Sequence, residues 1–408
     1  MNIWIITKYA SSTEEGFESR PFALAREFNQ KGHNCSIISS DSNHFGVYPK
    51  YKSIYNVHQN FYLFVLRIRT FKYKKSASLR RIISWIDFEI KLLFAPLNKF
   101  HRPDIIIVSS LSLLTILNGI RLRKRYSAKL IFEIRDIWPL TMIVEGGYNK
   151  YHPVVLFLAW IEKKGYLASD LVVGTMPNLS AHISKICREN EIKCECVTFG
   201  FDPNFFLTNT PNPIKFGIKH NIPEGKFIVG YAGSIGLSNG LDAIIDCIIE
   251  MQSNSRFLFL FLGDGACKKD YLERTTHLTN VIFLPKVERE EVSSFLALCD
   301  LLYFSSLKGE VWEYGWSPNK LIDYMMAGKP ILASYSGFKS MINEAKSGFF
   351  IEAENSMEIN QSLNRIIDIP KNQLEEMGSK GKSWLIKNRK WEVVAEQYLA
   401  LMNQINKS

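Results

Sequence analysis

Ser317-Pro318-Asn319-Lys320-Leu321-Ile322-Asp323-Tyr324-Met325-Met326-Ala327-Gly328-Lys329-Pro330 reads as the start, body and stop of one helix, with chemistry in its first turns. Ser317 is a good N-cap, and Pro318 suits the first helical position, where a missing N–H costs nothing. The first-turn amides are then free to face an anion, which the helix dipole also favours. Lys320 adds a full positive charge. Asp323, three residues after Lys320 and four after Asn319, falls on the same face. A cation with free amides suits a diphosphate, and a carboxylate one turn further suits a sugar diol. Gly328 stops the helix, Pro330 prevents its return, and residues 330–334 read as a buried strand. The plainer alternative is a capped helix whose Lys320 and Asp323 pair on the surface.

Outward from that helix the chain alternates short apolar strands with amphipathic helices. Strand-like runs fall at 3–6, 35–39, 104–108, 129–133, 170–174 and 195–198, with helical stretches at 20–31, 111–126, 152–168 and 179–189. This βα alternation predicts a parallel, doubly wound sheet with helices on both faces. Residues 201–225 hold four prolines and two glycines and read as a linker. The alternation then restarts with strands at 227–232, 257–262, 281–284, 300–304 and 331–334, and a helical tail at 373–405 breaks near Asn388-Arg389-Lys390. The expectation is an α/β chain of two Rossmann-like domains facing across a cleft. The first spans 1–200 plus a C-terminal helix at about 389–408, and the second spans 201–388.

A chain of 408 residues is long for one core, and 46% hydrophobic with 13% aromatic content suits a well-packed globule. No apolar run is long enough to span a bilayer, and the N-terminus lacks a signal peptide's charged start and cleavage site, so a cytoplasmic location is expected. Seven scattered cysteines, with Cys194 and Cys196 the one close pair, suit reduced, packed thiols rather than a zinc site. A net charge of +10 points to an anionic partner, whether nucleotide, nucleic acid or acidic lipid.

Residues 61–102 break the rhythm. They carry no clear strand but many bases, among them Arg67, Lys72, Lys75, Arg80 and Arg81, set among large apolar residues. A basic amphipathic pair of helices fits an anionic membrane interface; an insertion packed on its own domain is the alternative.

Further candidate positions follow strands. Gly16 lies in the loop after the first strand, and Gly233-Ser234-Ile235-Gly236 lies after the strand at 227–232. Gly263-Asp264-Gly265 closes the strand at 257–262. Each lets backbone approach a phosphate or sugar, although neither a dinucleotide fingerprint nor a P-loop is present. Asp136, in Arg135-Asp136-Ile137-Trp138-Pro139 after the strand at 129–133, could accept a proton or hold a hydroxyl; pairing with Arg135 or capping a helix are equal alternatives.

Gly263-Asp264-Gly265, the 317–330 stretch, the Phe199-Gly200-Phe201-Asp202 turn and the Gly16 loop together resemble the retaining GT-B glycosyltransferases of family GT4. The likeness is greatest to bacterial enzymes that build O-antigen, capsule or other lipid-linked saccharides. The resemblance implies a C-terminal domain that binds a nucleotide sugar and an N-terminal domain that binds the acceptor. Asp323 matches the second carboxylate of the family's E-x7-E motif, which holds the ribose. The first Glu falls on Gly315, and Glu313, two residues away, is its candidate substitute. The family's diphosphate-neutralising Arg and Lys fall on Ser234 and Asn239, so Lys320, with Lys286, is the candidate for the missing charge. The family's acceptor-side His is not evident, and Arg135-Asp136 occupies its region.

The resemblance therefore implies retaining transfer from a nucleoside diphosphate sugar, with UDP the family's commonest choice, to a polyprenyl-diphosphate-linked saccharide. Its place would be lipopolysaccharide or related surface polysaccharide synthesis at the inner leaflet. Lys320, Asp136 and Glu313 are the expected catalytic residues. Gly16, Gly233, Ser234, Gly263, Asp264, Gly265, Lys286, Ser317, Asn319, Lys320 and Asp323 are the expected donor contacts. With no D-x-D among acidic neighbours, neither a metal nor another cofactor is expected, and cleft closure would exclude water. A GT-B nucleotide-sugar epimerase, which needs no acceptor, is the alternative enzyme. A nucleic-acid binder is the alternative from another class, disfavoured by the lack of interleaved aromatic stacking platforms.

Overall fold

The structure, a computed structural model, describes residues 1–43, 48–60, 63–73, 78–188, 190–208, 210–316 and 318–407. The chain divides into two compact units, one of Met1–Gly200 with Trp391–Ser408 and one of Phe201–Lys390. The first unit runs β1 (Asn2–Ile6), α1 (Arg20–Gln30), β2 (Asn34–Ser40), β3 (Tyr55–Asn60), β4 (Leu63–Ile68), α2 (Leu79–Leu93), β5 (Ile105–Ser109) and α3 (Thr115–Tyr126). It continues with β6 (Lys129–Ile134), α4 (Leu140–Val144), α5 (Pro153–Ala168), β7 (Leu171–Gly174), α6 (Leu179–Cys187) and β8 (Cys194–Cys196). The second unit runs α7 (Pro203–Thr208), α8 (Pro213–Lys219), β9 (Phe227–Ala232), α9 (Asp242–Glu250), β10 (Phe257–Leu262), α10 (Lys268–Thr275), β11 (Val281–Leu284) and α11 (Arg289–Leu298). After it come β12 (Leu301–Ser305), α12 (Asn319–Met326), β13 (Ile331–Ser334), β14 (Gly348–Ile351), α13 (Ser356–Ile366) and α14 (Lys371–Asn388); α15 (Trp391–Lys407) returns to the first unit.

The first sheet has the order β3-β4-β2-β1-β5-β6-β7-β8 and is parallel apart from its edge strand β3, which pairs antiparallel with β4. Central strands such as Ile105–Ser109 are buried along their whole length, the signature of strands covered on both faces. The step from β1 back to β2 runs one way along the sheet, whereas β5 to β6 to β7 to β8 runs the other. Right-handed crossovers therefore place α1 on one face and α3, α5 and α6 on the other. The step from β4 across to β5 puts α2 beside α3. On the α1 face, α15 supplies Val394, Tyr398, Met402 and Ile405 to a core shared with Phe28, Ile37 and Ile107.

A buried polar tie completes that core. Arg20 donates from Nε to Glu133 Oε1 at 2.9 Å and from Nη1 and Nη2 to the Thr198 and Val197 carbonyls at 2.6 and 2.8 Å. Tyr398 of α15 donates to the same Glu133 oxygen at 2.8 Å. The Arg20 guanidinium holds the Glu133 pKa below the usual carboxylate range in spite of full burial.

The second sheet, β11-β10-β9-β12-β13-β14, is wholly parallel. Its core gathers Val229, Phe259 and Leu332 from the strands with Ile244, Ile248 and Leu363 from α9 and α13.

Three expectations are corrected. The described residues of 61–102 hold a strand, β4, and one long helix, α2, rather than a helix pair. The apolar run Leu63-Phe64-Val65-Leu66 fills a sheet position beside β2, and Arg67 and Arg69, which follow it, mask that strand signal. Residues 201–225 are not an open linker: α8 packs on α11 through buried Phe216, edge-on to Phe295 at 5.9 Å. Pro318 occupies the cap position of α12 rather than its first turn, and Ser317 lies outside the described residues.

Candidate functional site

In the second sheet the chain winds outward from β9 through β10 to β11, and outward the other way from β12 through β13 to β14. The reversal lies between β9 and β12. Loops leaving the carboxyl ends of such neighbouring strands part there and leave room for a ligand. The loop after β9 carries Gly233 and Ser234, the loop after β10 carries Gly263, Asp264 and Gly265, and β12 leads to α12.

The two glycine loops lie backbone on backbone. Gly233 N–H donates to Leu262 O at 3.0 Å and Ile235 N–H to Asp264 O at 2.9 Å. A Cβ on Gly263, whose φ is +143°, would overlap the Gly233 carbonyl oxygen, and one on Gly265 would overlap that of Ile235. Only glycine permits this stacking. Lys268, at the start of α10, ties the arrangement down by donating from Nζ to the Gly263 and Leu284 carbonyls at 2.7 and 2.8 Å. Asp264 folds back on its own turn, accepting from Gly265 N–H at 2.8 Å.

Lys320, in the first turn of α12, reaches across the reversal point. Its Nζ donates to Asn239 Oδ1 at 2.6 Å and Tyr231 OH at 3.0 Å, and lies 4.8 and 5.3 Å from the Tyr231 and Phe304 ring centroids. A Cβ on Gly233 would sit 3.2 Å from the same nitrogen, so the ammonium lies against the first glycine loop. Burial lowers its pKa from 10.5 to about 8, which leaves it a cation at neutral pH. The resemblance puts the family's lysine at position 239, and the Lys320 ammonium lies beside that position through its bond to Asn239.

Tyr324, one turn on, fixes α12 against β9: its hydroxyl accepts from Ala232 N–H at 2.8 Å and donates to Ala232 O at 3.1 Å. Tyr231 and Tyr324 do not stand out in the sequence, and Asn239 does so only as the place of an absent lysine, because each acts through a partner 81 to 92 residues away. The adjacency of Tyr324 to Asp323 in a single motif was the one available signal.

Asp323 does not face the partners of Lys320. Its carboxylate lies 3.9 Å from Arg289 Nη2 at the start of α11, on the wall of a cavity of about 420 Å³ lined also by Phe205, Leu296, Met326 and Ile386. Desolvation raises its pKa to about 6, against the pull of Arg289. Lys286 and Asn319 are exposed, Lys286 in the loop between β11 and α11 and Asn319 at the start of α12. Glu313 is exposed on a short 3-10 turn, Glu310–Tyr314. That segment is pinned from within: Tyr335 OH donates to Trp312 O at 2.8 Å, and the Trp316 ring stacks on Tyr335 at 4.1 Å.

In the first unit, Gly16 closes a turn at φ +113°, and the adjacent Glu15 ion-pairs with Arg67. Arg67 is buried and also donates to Ala10 O at 2.8 Å, so it holds the Gly16 loop in place and belongs to no membrane face. Lys72 pairs with Asp41 at 2.6 Å, Arg80 is exposed on α2, and Lys75 lies outside the described residues. Arg81 turns inward: its Nε donates to Tyr9 OH at 3.2 Å, and its guanidinium lies 4.9 Å from the Trp85 ring. Trp85 in turn meets Trp138 edge-on at 6.1 Å. Tyr9, Arg81, Trp85 and Trp138 thus cluster beyond the carboxyl ends of β1 and β6. Asp136 lies in the same loop as Trp138, its pKa raised by desolvation against Arg135 and Arg81.

Among the described residues no three His, Cys, Asp or Glu side chains are grouped to hold a metal ion. Nor is any described helix long and apolar enough to cross a membrane.

Residues 215–384, almost the whole second unit, match the family model for glycosyl transferases group 1. The protein is a glycosyltransferase. Solved structures share its two-unit plan over nearly full length. Sucrose-phosphate synthase from Thermosynechococcus elongatus is similar at a TM-score of 0.73 with 14% identity, covering 99% of this chain and 98% of that one. The UDP-forming α,α-trehalose-phosphate synthase from Burkholderia vietnamiensis gives 0.71 and 11% over 99% and 97%. HepE of Anabaena in complex with UDP gives 0.65 and 14% over 99% and 100%. At these identities the likeness establishes the GT-B fold of this glycosyltransferase. A comparison with curated protein sequences gives no match.

Proposed function

We propose that this glycosyltransferase moves a sugar, with retention of anomeric configuration, from UDP-sugar to a hydroxyl of a lipid-linked saccharide, in the manner of GT4 enzymes of surface polysaccharide synthesis. One observation carries the donor half: a half-buried ammonium, Lys320 Nζ, set against the Gly233 loop at the reversal point of the second sheet. Breaking the bond from sugar to diphosphate builds negative charge on the leaving oxygens. The first-turn amides of α12, the stacked glycine loops and Lys320 would receive it, with no metal in the scheme. Asp323 with Arg289 would bind ribose and base-side groups, Lys286 would flank them, and Glu313 would stand in for the absent first carboxylate. The UDP-bound structure of HepE, which shares the fold, supports the choice of nucleotide.

The acceptor half rests on the Tyr9, Arg81, Trp85, Trp138 cluster with Asp136 beside it. An arginine among aromatic rings suits an acceptor that carries both phosphate and sugar. The exposed stripe of α2, Ile82, Ile83, Ile86, Ile90 and Leu93, suits an acceptor held in lipid at the inner leaflet.

Thermal unfolding with UDP, GDP and ADP, each in EDTA and then in magnesium, tests the donor half. A nucleotide at about a hundred times its dissociation constant adds about 2.7 kcal/mol of stability. A shift with UDP in EDTA is expected; no shift with any nucleotide would refute the site. Turnover that depends on an added acceptor then separates transfer from epimerisation.

A further inference from the structure

Helix α5 is apolar on nearly every side, yet only half of it is covered. Val155, Ile161, Gly165 and Tyr166 are buried towards the sheet, and its one carboxylate, Glu162, turns inward to His182 Nε2 at 2.8 Å and Tyr166 OH at 2.9 Å. The opposite face leaves Leu156, Phe157, Trp160 and Leu167 in solvent, with Trp160 53% exposed. A helix this apolar is ordinarily enclosed.

The arrangement of that face is specific. At 3.6 residues per turn, Leu156, Trp160 and Leu167 form a central line, with exposed Lys163 and Lys164 on its two sides. The Phe157 and Trp160 rings stack at 6.2 Å, and Lys164 Nζ lies 4.7 Å from the Trp160 ring centroid. Just before the helix, exposed Tyr148 and Tyr151 flank Lys150, whose Nζ lies 5.1 Å from the Tyr151 ring. Between residues 146 and 168 the sole acid is the buried Glu162, so the exposed face carries cations alone. On the same side of the sheet, neighbouring α3 ends in exposed Lys124 and Arg125, and beyond it lies the apolar stripe of α2.

We propose that the outer face of α5 docks on an anionic lipid surface. Leucines and aromatic rings would enter the boundary between headgroups and acyl chains, while Lys163 and Lys164 extend sideways to lipid phosphates. Charge decides between this and pairing with a second copy: a two-fold pairing through α5 would set Lys163 and Lys164 of both copies against each other without a carboxylate between them. The inference stands apart from the donor chemistry, and it places a second lipid contact on the layer that carries α2.

The test is flotation of the full chain with vesicles of phosphatidylcholine alone and of phosphatidylcholine with phosphatidylglycerol. Binding to the anionic vesicles, weakened by salt, is expected. Each basic residue near an anionic surface contributes about 1 kcal/mol, about fivefold, so Lys163→Ala with Lys164→Ala should weaken binding about thirtyfold. Phe157→Ser with Trp160→Ser should weaken it by at least about tenfold. Because all four side chains are exposed, both variants should keep the wild-type unfolding temperature and response to UDP, which separates failure here from failure of the donor site. Wild-type protein that ignores anionic vesicles would overturn the proposal. So would folded variants that float like wild type, or a wild-type dimer in light scattering that the Phe157 and Trp160 changes split.

Discussion

Replacing Lys320 with Met should make the free enzyme no less stable while it weakens UDP binding strongly. Burial lowers the Lys320 pKa from 10.5 to about 8, so its charge costs the folded state about 3 kcal/mol at neutral pH. The folded form binds fewer protons than the unfolded chain between those values. This group's contribution to stability is therefore most unfavourable below pH 8 and recovers as pH rises towards 10.5. Methionine removes the cost but forfeits hydrogen bonds to Asn239 and Tyr231, each worth about 1 kcal/mol net. The balance leaves the variant up to about 1 kcal/mol more stable at pH 7. For binding, a unit charge about 4 Å from a diphosphate oxygen is worth about 4 kcal/mol at an effective dielectric near 20. Rearranging the Asn239 and Tyr231 contacts reduces that to about 2–3 kcal/mol, or roughly 30- to 150-fold in affinity. The pH dependence follows from the same group: the cation is complete well below pH 8 and lost above it. UDP affinity should therefore be level up to about pH 7.5 and then fall towards tenfold per pH unit, whereas the variant should lack that slope. Isothermal titration of wild type and Lys320→Met from pH 7 to pH 9 measures both, and denaturant unfolding measures stability. A variant that binds UDP within about twofold of wild type, or one destabilised by several kcal/mol, would refute the reasoning.

Gly263→Ala should destabilise the protein by about 2–4 kcal/mol in urea unfolding, because φ is +143° and the new Cβ meets the Gly233 carbonyl. Asp323→Asn should raise stability at pH 7 by about 1–2 kcal/mol, allowing for partial exposure, and lower UDP affinity in calorimetry. Its folded pKa of about 6 lies above the unfolded value, so the wild-type contribution is lost as pH rises from 3.8 through 6, and the variant should not show that loss. Arg20→Met should cost about 3–5 kcal/mol in the same unfolding assay, since it removes the direct ion pair of buried Glu133 and leaves it the Tyr398 hydrogen bond and the charge of Arg135.

The strands at the centre of both sheets could be read from the sequence because they are buried on both faces and appear as unbroken apolar runs, as in 105–108 and 257–262. β4 is hidden because Arg67 and Arg69 give 63–69 the look of a basic helix, whereas Arg67 balances the buried Glu15. The helices of 201–225 were hidden by their prolines, which stand at first-turn positions rather than in an open chain. At the candidate site, Lys320 was legible from its place in a helix start. Its partner Asn239 was not, because nothing in a linear pattern says which loop a side chain will reach. The separate directions of Lys320 and Asp323 are likewise a tertiary fact: β9 lies on one side of α12 and α11 on the other.

The return of α15 to the first unit sets an order of assembly. A ribosome makes residues 1–200 first, but their core stays open where Val394, Tyr398, Met402 and Ile405 belong. The second unit, an unbroken segment, can close while the first still waits for the seventeen residues of α15. A premature stop after Lys390 would therefore spare the domain just translated and damage the one translated first.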